Sequence, residues 1–428
     1  MSKKKVLFVH QNFPGQFKSI APFLAFTKKY DVHTLAWKKS HKKEDYLNSM
    51  KDLTHHQYEI RSGSSKNIHP LAIEFETKMI RADTVALKCY ELKNTGFNPD
   101  LIIDHPGWGE TLFIKEVWPD AKLLSFFEFY YNTSKSDIDF DLDEQQVQGY
   151  EMSKKLIARN APINLSYLTS DTIISPTEFQ KSTAPSWLRN KINVIHDGID
   201  TDLIKPGKKD ASIQIKYKDV SNDKLISTVI SRQDKIITFV NRNLEPYRGY
   251  HSFMRALPAI QKIHPDAFIL IVGGDQVSYG STHPSGDSYK NIFLNEVKDS
   301  LIDKSKLIFL GKVDYNIFLN IMDLSSVHIY LTYPFVLSWS MLEVMALEKV
   351  VVGSKTKPVE EVIIDNENGL LVDFFDIEEI ANRVISVLSN PEKFNQIRKR
   401  ARKTIVDHYD LRRVCLPKQL ELIERILK

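Results

Sequence analysis

One carboxylate, Glu343, stands inside the apolar helical part of "SWSMLEVMALEKVVVGS" (338–354), ahead of the Glu348-Lys349 pair that leads into a strand, with Trp339 set between Ser338 and Ser340. Two chemistries fit it. Ser340 and Glu343 have the spacing of a capping box, in which the serine bonds the third helical N–H and the glutamate reaches back to the cap. The same helix start would also offer free N–H groups and a positive dipole end to phosphates, with Glu343 accepting both hydroxyls of a ribose. The residues alone leave both readings open.

Other stretches carry comparable groups. "NRNLEPYRG" (241–249) places Arg242 and Arg248 around a Pro-containing loop, and two guanidiniums there suit a diphosphate because the planar fork bonds phosphate oxygens bidentately and stays charged. "IVGGD" (271–275) ends an apolar run at Gly273 and Gly274, where backbone can approach a ligand closely. "HQNFPGQF" (10–17) puts Gly15 before a helix start, without the further glycines of a dinucleotide fingerprint. "IIDHPGWGE" (102–110) gathers Asp104, His105 and Glu110, and "FFEFYY" (126–131) sets Glu128 in an aromatic run, where a carboxylate needs a partner. "DFDLDE" (139–144) contains an Asp-x-Asp pattern but follows no predicted strand, so it reads as a solvated acidic loop and no metal ligand is assigned.

Parallel sheets must position these loops. "KVLFVH", "DVHTLAW", "LIID", "KLLSFF", "TIIS" and "INVIH" alternate with helical stretches such as 71–94, and from 235 the grammar restarts with "KIITFV", "AFILIVGG", "KLIFLG", "VHIYLTY", "VVVGS" and "GLLVD". Short β-rich runs separated by helices imply a parallel sheet covered on both faces. In such sheets ligands sit at the carboxyl ends of the strands, where all these loops fall. The stretches 205–234 and 276–290 read as loops or insertions, and the last ~30 residues as helices. The expected domains are 1–198, 199–400 and a helical 401–428 that packs across them and returns to the first.

Composition sets the class. The chain has 428 residues, 42% apolar and 26% charged, enough for two substantial cores. Its net charge of +4 comes largely from lysine and arginine runs without interleaved aromatics, which argues against nucleic acid as a partner. Two cysteines, Cys89 and Cys415, make no disulfide framework and suit a cytoplasmic protein. No stretch approaches the ~20 apolar residues of a membrane span, so membrane contact would be peripheral, at the inner face.

Taken together the loops resemble the family 4 glycosyltransferases, retaining enzymes of the GT-B fold with two Rossmann-like α/β domains facing a cleft. "VIHDGIDTDLIKP" (194–206) is similar to the family's linker, with Asp197 in place of the usual Asn; "NRNLEPYRG" is similar to its phosphate loop, "IVGGD" to its glycine turn, and "SWSMLEVMALEKVVVGS" to its Glu-containing helix. "HQNFPGQF", "HPGWGE" and "FFEFYY" further resemble a bacterial branch making surface polysaccharides or related glycans.

The resemblance implies roles. Glu343 matches the ribose-holding glutamate and Arg248 the cation over the diphosphate; aligning on Pro246 and Gly249 puts Asn243, rather than Arg242, at the family's arginine. Gly15 and Gly274 match loops near the donor, Val313 the backbone that contacts the base, and Ser338, Trp339 and Ser340 the N–H groups facing sugar and phosphate. His105, and with it Glu128, would position sugar or acceptor, because the leaving phosphate takes the acceptor proton in the family's retaining mechanism. One departure is Phe335, eight positions before Glu343, where the family carries a sugar-binding glutamate.

The implied activity is glycosyl transfer from a UDP- or GDP-type donor to a glycan or lipid-linked hydroxyl acceptor, with no cofactor and no essential metal. Phe335 keeps a non-catalytic nucleotide-sugar-binding subunit in play as the alternative, and an epimerase of the same fold is disfavoured by the lack of clustered acids and histidines.

Overall fold

The computed structural model describes residues 3–38, 50, 52–134, 136–141, 143–144, 149–208, 210–220 and 224–428. The chain forms two compact units, one comprising 1–134, 147–198 and 412–428, the other 135–146 and 199–411.

The first unit is built on seven strands: β1 (Lys4–Val9), β2 (Tyr30–Trp37), β3 (Thr54–Tyr58), β4 (Leu101–Asp104), β5 (Lys122–Phe126), β6 (Thr172–Ser175) and β7 (Ile192–Val194). All pairings are parallel, in the order β3-β2-β1-β4-β5-β6-β7. Buried on both faces, β4 needs no polar alternation, hence the unbroken "LII" before Asp104. Helix Ile73–Asn94 covers one face with Val85, Ala86, Cys89 and Leu92 packed on Leu7, Leu35, Ile102 and Leu123. Glu74 and Glu76 in its first turn and Lys93 in its last complement the helix dipole.

The second unit contains a six-stranded parallel sheet of β10 (Ile236–Asn243), β11 (Phe268–Gly274), β12 (Leu307–Gly311), β13 (Val327–Tyr330), β14 (Val350–Ser354) and β15 (Leu370–Val372), ordered β12-β11-β10-β13-β14-β15. Strands β13 and β14 are buried at every residue. Each sheet reverses strand order once, between β1 and β4 and between β10 and β13. Ligands of open parallel sheets bind at such reversals, beside the carboxyl ends of the strands. The loops leaving β1 and β4, and those leaving β10 and β13, are therefore where each unit can hold one.

Two expectations are corrected. The stretch 205–234, read as loop, contains an antiparallel pair, β8 (Ser212–Lys218) and β9 (Leu225–Ser231). Its polar residues hid a period of two: Ile215 and Tyr217 on β8 and Ile230 on β9 point inward, while lysine and serine face solvent. Residues 135–146, assigned to the first domain, belong to the second unit, anchored by Tyr247 donating to Asp137, by Tyr333 donating to Asp141 Oδ2 at 2.7 Å, and by Phe140 on Phe374 and Phe375. The chain's last segment does return to the first unit, from residue 412, while the helix before it, Asn395–His408, sinks Ala401 and Ile405 into the second unit's core. Leu416–Ile426 lies in the first, where Gln419 Nε2 donates to the His196 carbonyl at 3.1 Å. Among the described residues no helix is long and apolar enough to cross a membrane.

Candidate active site

In the second unit, β10 delivers the chain to a short turn, Pro246–Arg248, and then to helix Tyr250–Ile263. Gly249 joins them in the left-handed region, φ +67°, and a Cβ there would lie 2.2 Å from the Leu331 Cβ. Only glycine lets this loop close against the loop leaving β13. The result is a buried guanidinium. Arg248, 5% exposed, donates from Nη1 to Thr332 Oγ1 at 2.7 Å and stands over the Tyr279 and Phe335 rings, 5.1 and 5.7 Å from their centroids. These partners are neutral, and the carboxylate that acts on the charge, Glu245, is itself held by backbone N–H groups.

Arg242, by contrast, is exposed at the end of β10 and takes no part in this arrangement. Its neighbour Asn243 is the buried one, donating from Nδ2 to Ser278 Oγ at 2.6 Å. One residue of strand pleat turns the two to opposite sides. Gly274 brings backbone beneath Asn243 and Lys312: a Cβ would come within 2.6 Å of Asn243 Oδ1 and of Lys312 Cε.

A residue that sequence reasoning missed organises this corner. Glu245, fully buried, accepts the backbone N–H groups of Ser278 and Tyr279 at 3.1 Å and of Gly280 at 3.3 Å, stapling the Ser- and Gly-rich loop after β11 onto the Arg248 loop. Burial raises its pKa, against the pull of those N–H groups and of Arg248. The signal was present: a glutamate set between Leu244 and Pro246-Tyr247 needs donors from somewhere.

The expected capping box does not form. Helix Trp339–Ala346 takes Ser338, not Ser340, as its cap, with Ser338 Oγ accepting the Ser340 N–H at 3.3 Å. Glu343 then lies too far along the helix to reach back. It is 5% exposed and accepts instead from the Tyr315 hydroxyl at 2.6 Å, a residue at the start of helix Tyr315–Leu324. The Tyr330 hydroxyl accepts the Ser338 N–H at 2.8 Å and lies 3.5 Å from Arg248 Nη1, linking the helix start to the guanidinium. Trp339 is half-buried and packs on the unit's core, as does Val313 beyond β12.

Phe335 occupies the expected sugar-glutamate position as a core aromatic, its ring 5.4 Å from Tyr247 and 5.0 Å from Tyr279. Asp139 and Asp141 of the acidic run are turned to local partners: Asp139 Oδ1 accepts the Ser136 N–H at 2.8 Å, and Asp141 lies between Tyr333 and His251 Nε2, 3.1 Å away.

The first unit assembles its own set. Gly15, φ +46°, lies against the His10 ring, which a Cβ would meet at 2.4 Å, so its backbone freedom serves the packing of His10. His10 Nδ1 accepts the Asn12 N–H at 2.9 Å, leaving Nε2 to donate to Gln16 Oε1, also at 2.9 Å. Burial, aided by the charge of His105, pushes His10 down to about 3. His105 behaves oppositely. Burial works against its charge, yet the Glu128 carboxylate, with Glu110 and Asp104 behind it, raises its pKa. His105 Nε2 lies 3.3 Å from Glu128 Oε2, and its ring stacks on Phe126. Asp104, fully buried and bonded by Thr111, is pushed up to about 6 by burial.

Beside this set is a pocket of about 220 Å³. Helix Ile73–Asn94 lines it with Glu74, Thr77, Lys78 and Arg81, spaced to share one helical face, and His105, Trp108, Glu128, Tyr131 and Arg159 complete it.

The comparisons agree with this architecture. Residues 31–204 match the family model described as the glycosyl transferase family 4 group, and residues 222–404 the one described as glycosyl transferases group 1. An uncharacterized glycosyltransferase of Methanocaldococcus jannaschii is 28% identical over 210 residues, 49% of this chain and 45% of the relative. The chain spans about half the length of the curated relatives it matches. Among solved structures, sucrose-phosphate synthase from Thermosynechococcus elongatus superposes with a TM-score of 0.69 at 15% identity, covering 99% of both chains. The Anabaena protein HepE in complex with UDP-glucose gives 0.65 at 14% identity, covering 98% of this chain and 99% of its own. With both halves matched by these family models and both parallel-sheet units shared with such neighbours, the chain belongs to the family 4 glycosyltransferases of the GT-B fold.

Proposed function

We propose that the protein transfers a glycosyl unit from a nucleoside-diphosphate sugar to a hydroxyl acceptor with retention of anomeric configuration. The observation that carries this reading is the pairing, on loops leaving adjacent strands β10 and β13, of a buried guanidinium bonded to neutral oxygens and a buried carboxylate held by a tyrosine. Arg248 and the N–H groups that open helix Trp339–Ala346 would stabilise charge as it develops on the departing diphosphate. Glu343 would take the ribose hydroxyls. A UDP-type donor is favoured by the HepE complex, and GDP remains the other class to test.

In the transfer, the acceptor oxygen bonds to the anomeric carbon while the bond from that carbon to the diphosphate oxygen breaks, and that oxygen takes the acceptor proton. No protein base and no metal is assigned a role. His105 and Glu128, 3.3 Å apart in the first unit, would orient sugar or acceptor. The bacterial surface-glycan motifs point to polysaccharide or glycolipid synthesis at the cytoplasmic face of the membrane.

A release assay across UDP-, GDP- and ADP-sugars tests the reading, with the product anomer assigned by NMR. Nucleotide release that depends on Arg248 and gives a retained anomer supports it. Absence of release from every donor, with nucleotide binding intact in Arg248→Ala, would leave the non-catalytic binding subunit, the reading that the buried Phe335 favours.

A further inference from the structure

The pocket in the first unit holds more positive charge than its carboxylates neutralise. Lys78 is 5% exposed, and its Nζ, without a hydrogen bond, has Glu74 Oε1 3.3 Å away. The same Glu74 oxygen lies 3.7 Å from Arg159 Nε, so two cations share one carboxylate. Arg81, one turn beyond Lys78 on the same helical face, adds a third; its charge is partly answered by Glu110 behind it, while its Nη1 is buried without a hydrogen bond. Glu128, across the pocket, is engaged with His105. A buried ammonium without hydrogen-bond acceptors is costly unless another group supplies them.

The pocket wall explains how the cations are held ready. Arg159 stands over Tyr131, its guanidinium carbon 3.6 Å from the ring centroid, and donates from Nη2 to the Tyr131 hydroxyl at 2.8 Å. Gly109, φ +92°, brings the loop after β4 so close to the helix that a Cβ would lie 2.7 Å from the Lys78 Cβ, which fixes the base of the lysine side chain. Trp108, 42% exposed, offers an apolar face at the rim.

We infer that this pocket binds an oxyanion carried by the acceptor, a phosphate or carboxylate on a sugar-like molecule, through Lys78, Arg159 and Arg81. The inference rests on the transferase reading for the word acceptor, while anion binding itself does not. Burial, together with the charges of Arg159 and Arg81, lowers the Lys78 pKa, and a bound oxyanion would relieve both effects.

Titration calorimetry on the full chain at fixed ionic strength tests it, with inorganic phosphate, glucuronate and neutral methyl glucoside as probes. The titrations are run with saturating UDP and repeated in the Arg248→Ala background, so that phosphate at the donor loop is not counted. At least one anion is expected to bind more than tenfold tighter than methyl glucoside. Lys78→Met and, independently, the half-exposed Arg159→Gln should each weaken that binding about tenfold or more while leaving UDP affinity within about twofold. Preference for phosphate assigns a phosphorylated acceptor and preference for glucuronate a uronic acid. If UDP fails to bind while the anion does, the transferase reading falls and the pocket stands. Anions that bind no tighter than methyl glucoside, or that bind Lys78→Met and Arg159→Gln as they bind the unaltered protein, would overturn the inference.

Discussion

The Tyr315 hydroxyl donates to Glu343 Oε1 at 2.6 Å, so the carboxylate is oriented by a neighbouring helix and not by the cap of its own. Tyr315 is 44% exposed and stacks on Phe318, which places Glu343 just beneath the surface with one oxygen spoken for.

Tyr315→Phe keeps that ring stack and removes the donor. Nucleotide dissociation constants should rise about fivefold, the effect of losing ~1 kcal/mol of orientation, with little change in melting temperature. Glu343→Gln should cost more than tenfold, because it also removes the charge that ribose hydroxyls donate to. If both variants bound nucleotide normally and merely melted earlier, Glu343 would be a structural residue.

Gly249→Ala tests whether the loop closure positions Arg248. The left-handed region alone costs an alanine ~1–2 kcal/mol, and here the Leu331 Cβ blocks the added methyl as well. Gly96 is the control, with φ +89° and nothing within 4 Å of the place a Cβ would take. Gly96→Ala should lose about 1 kcal/mol in urea denaturation. Gly249→Ala should lose distinctly more and weaken nucleotide binding over tenfold; equal losses in the two would remove the packing argument.

Phe335→Glu restores the residue type usual in the family, but into an aromatic setting beside Arg248. A carboxylate there would pair with the guanidinium and draw it from the diphosphate, so UDP affinity should fall at least tenfold, whereas Phe335→Leu should change it little. A gain in affinity for a UDP-sugar over UDP in Phe335→Glu would show instead that the position still faces the sugar.

Much of this was legible in the sequence, and the reasons are physical. The parallel strands announced themselves because burial on both faces demands continuous apolar runs, as in β13 and β14. Strand ends then located the loops of Arg248 and Glu343. The β8–β9 pair escaped notice because one-sided burial needs only alternate apolar residues, and lysines diluted them. Ser338 was passed over as cap because Ser340 has the better spacing to Glu343, and spacing cannot say where a helix begins. Glu245 and Tyr315 act through partners 28 to 35 residues away, contacts that only the fold brings together.

Acid should destabilise the protein through its buried histidines. His328, fully buried with Nδ1 2.9 Å from Thr238 Oγ1, is lowered to about 3 by burial, and His196 to about 4 for the same reason. The unfolded chain, with histidines near 6.5, binds more protons than the folded one below that pH. This contribution is therefore complete above about pH 6.5 and is lost as pH falls toward the folded values, roughly 2–3 kcal/mol per histidine by about pH 4.5. Asp104, raised to about 6, works in the opposite sense: its contribution is complete below the unfolded carboxylate range and lost as pH rises through about 6. Urea midpoints measured between about pH 7 and about pH 4.5 should thus fall with acidification, less steeply in His328→Leu, whose Thr238 keeps its bond to Ser325, and more steeply in Asp104→Asn. Identical slopes in all three proteins would mean that these groups titrate alike in the folded and unfolded chains.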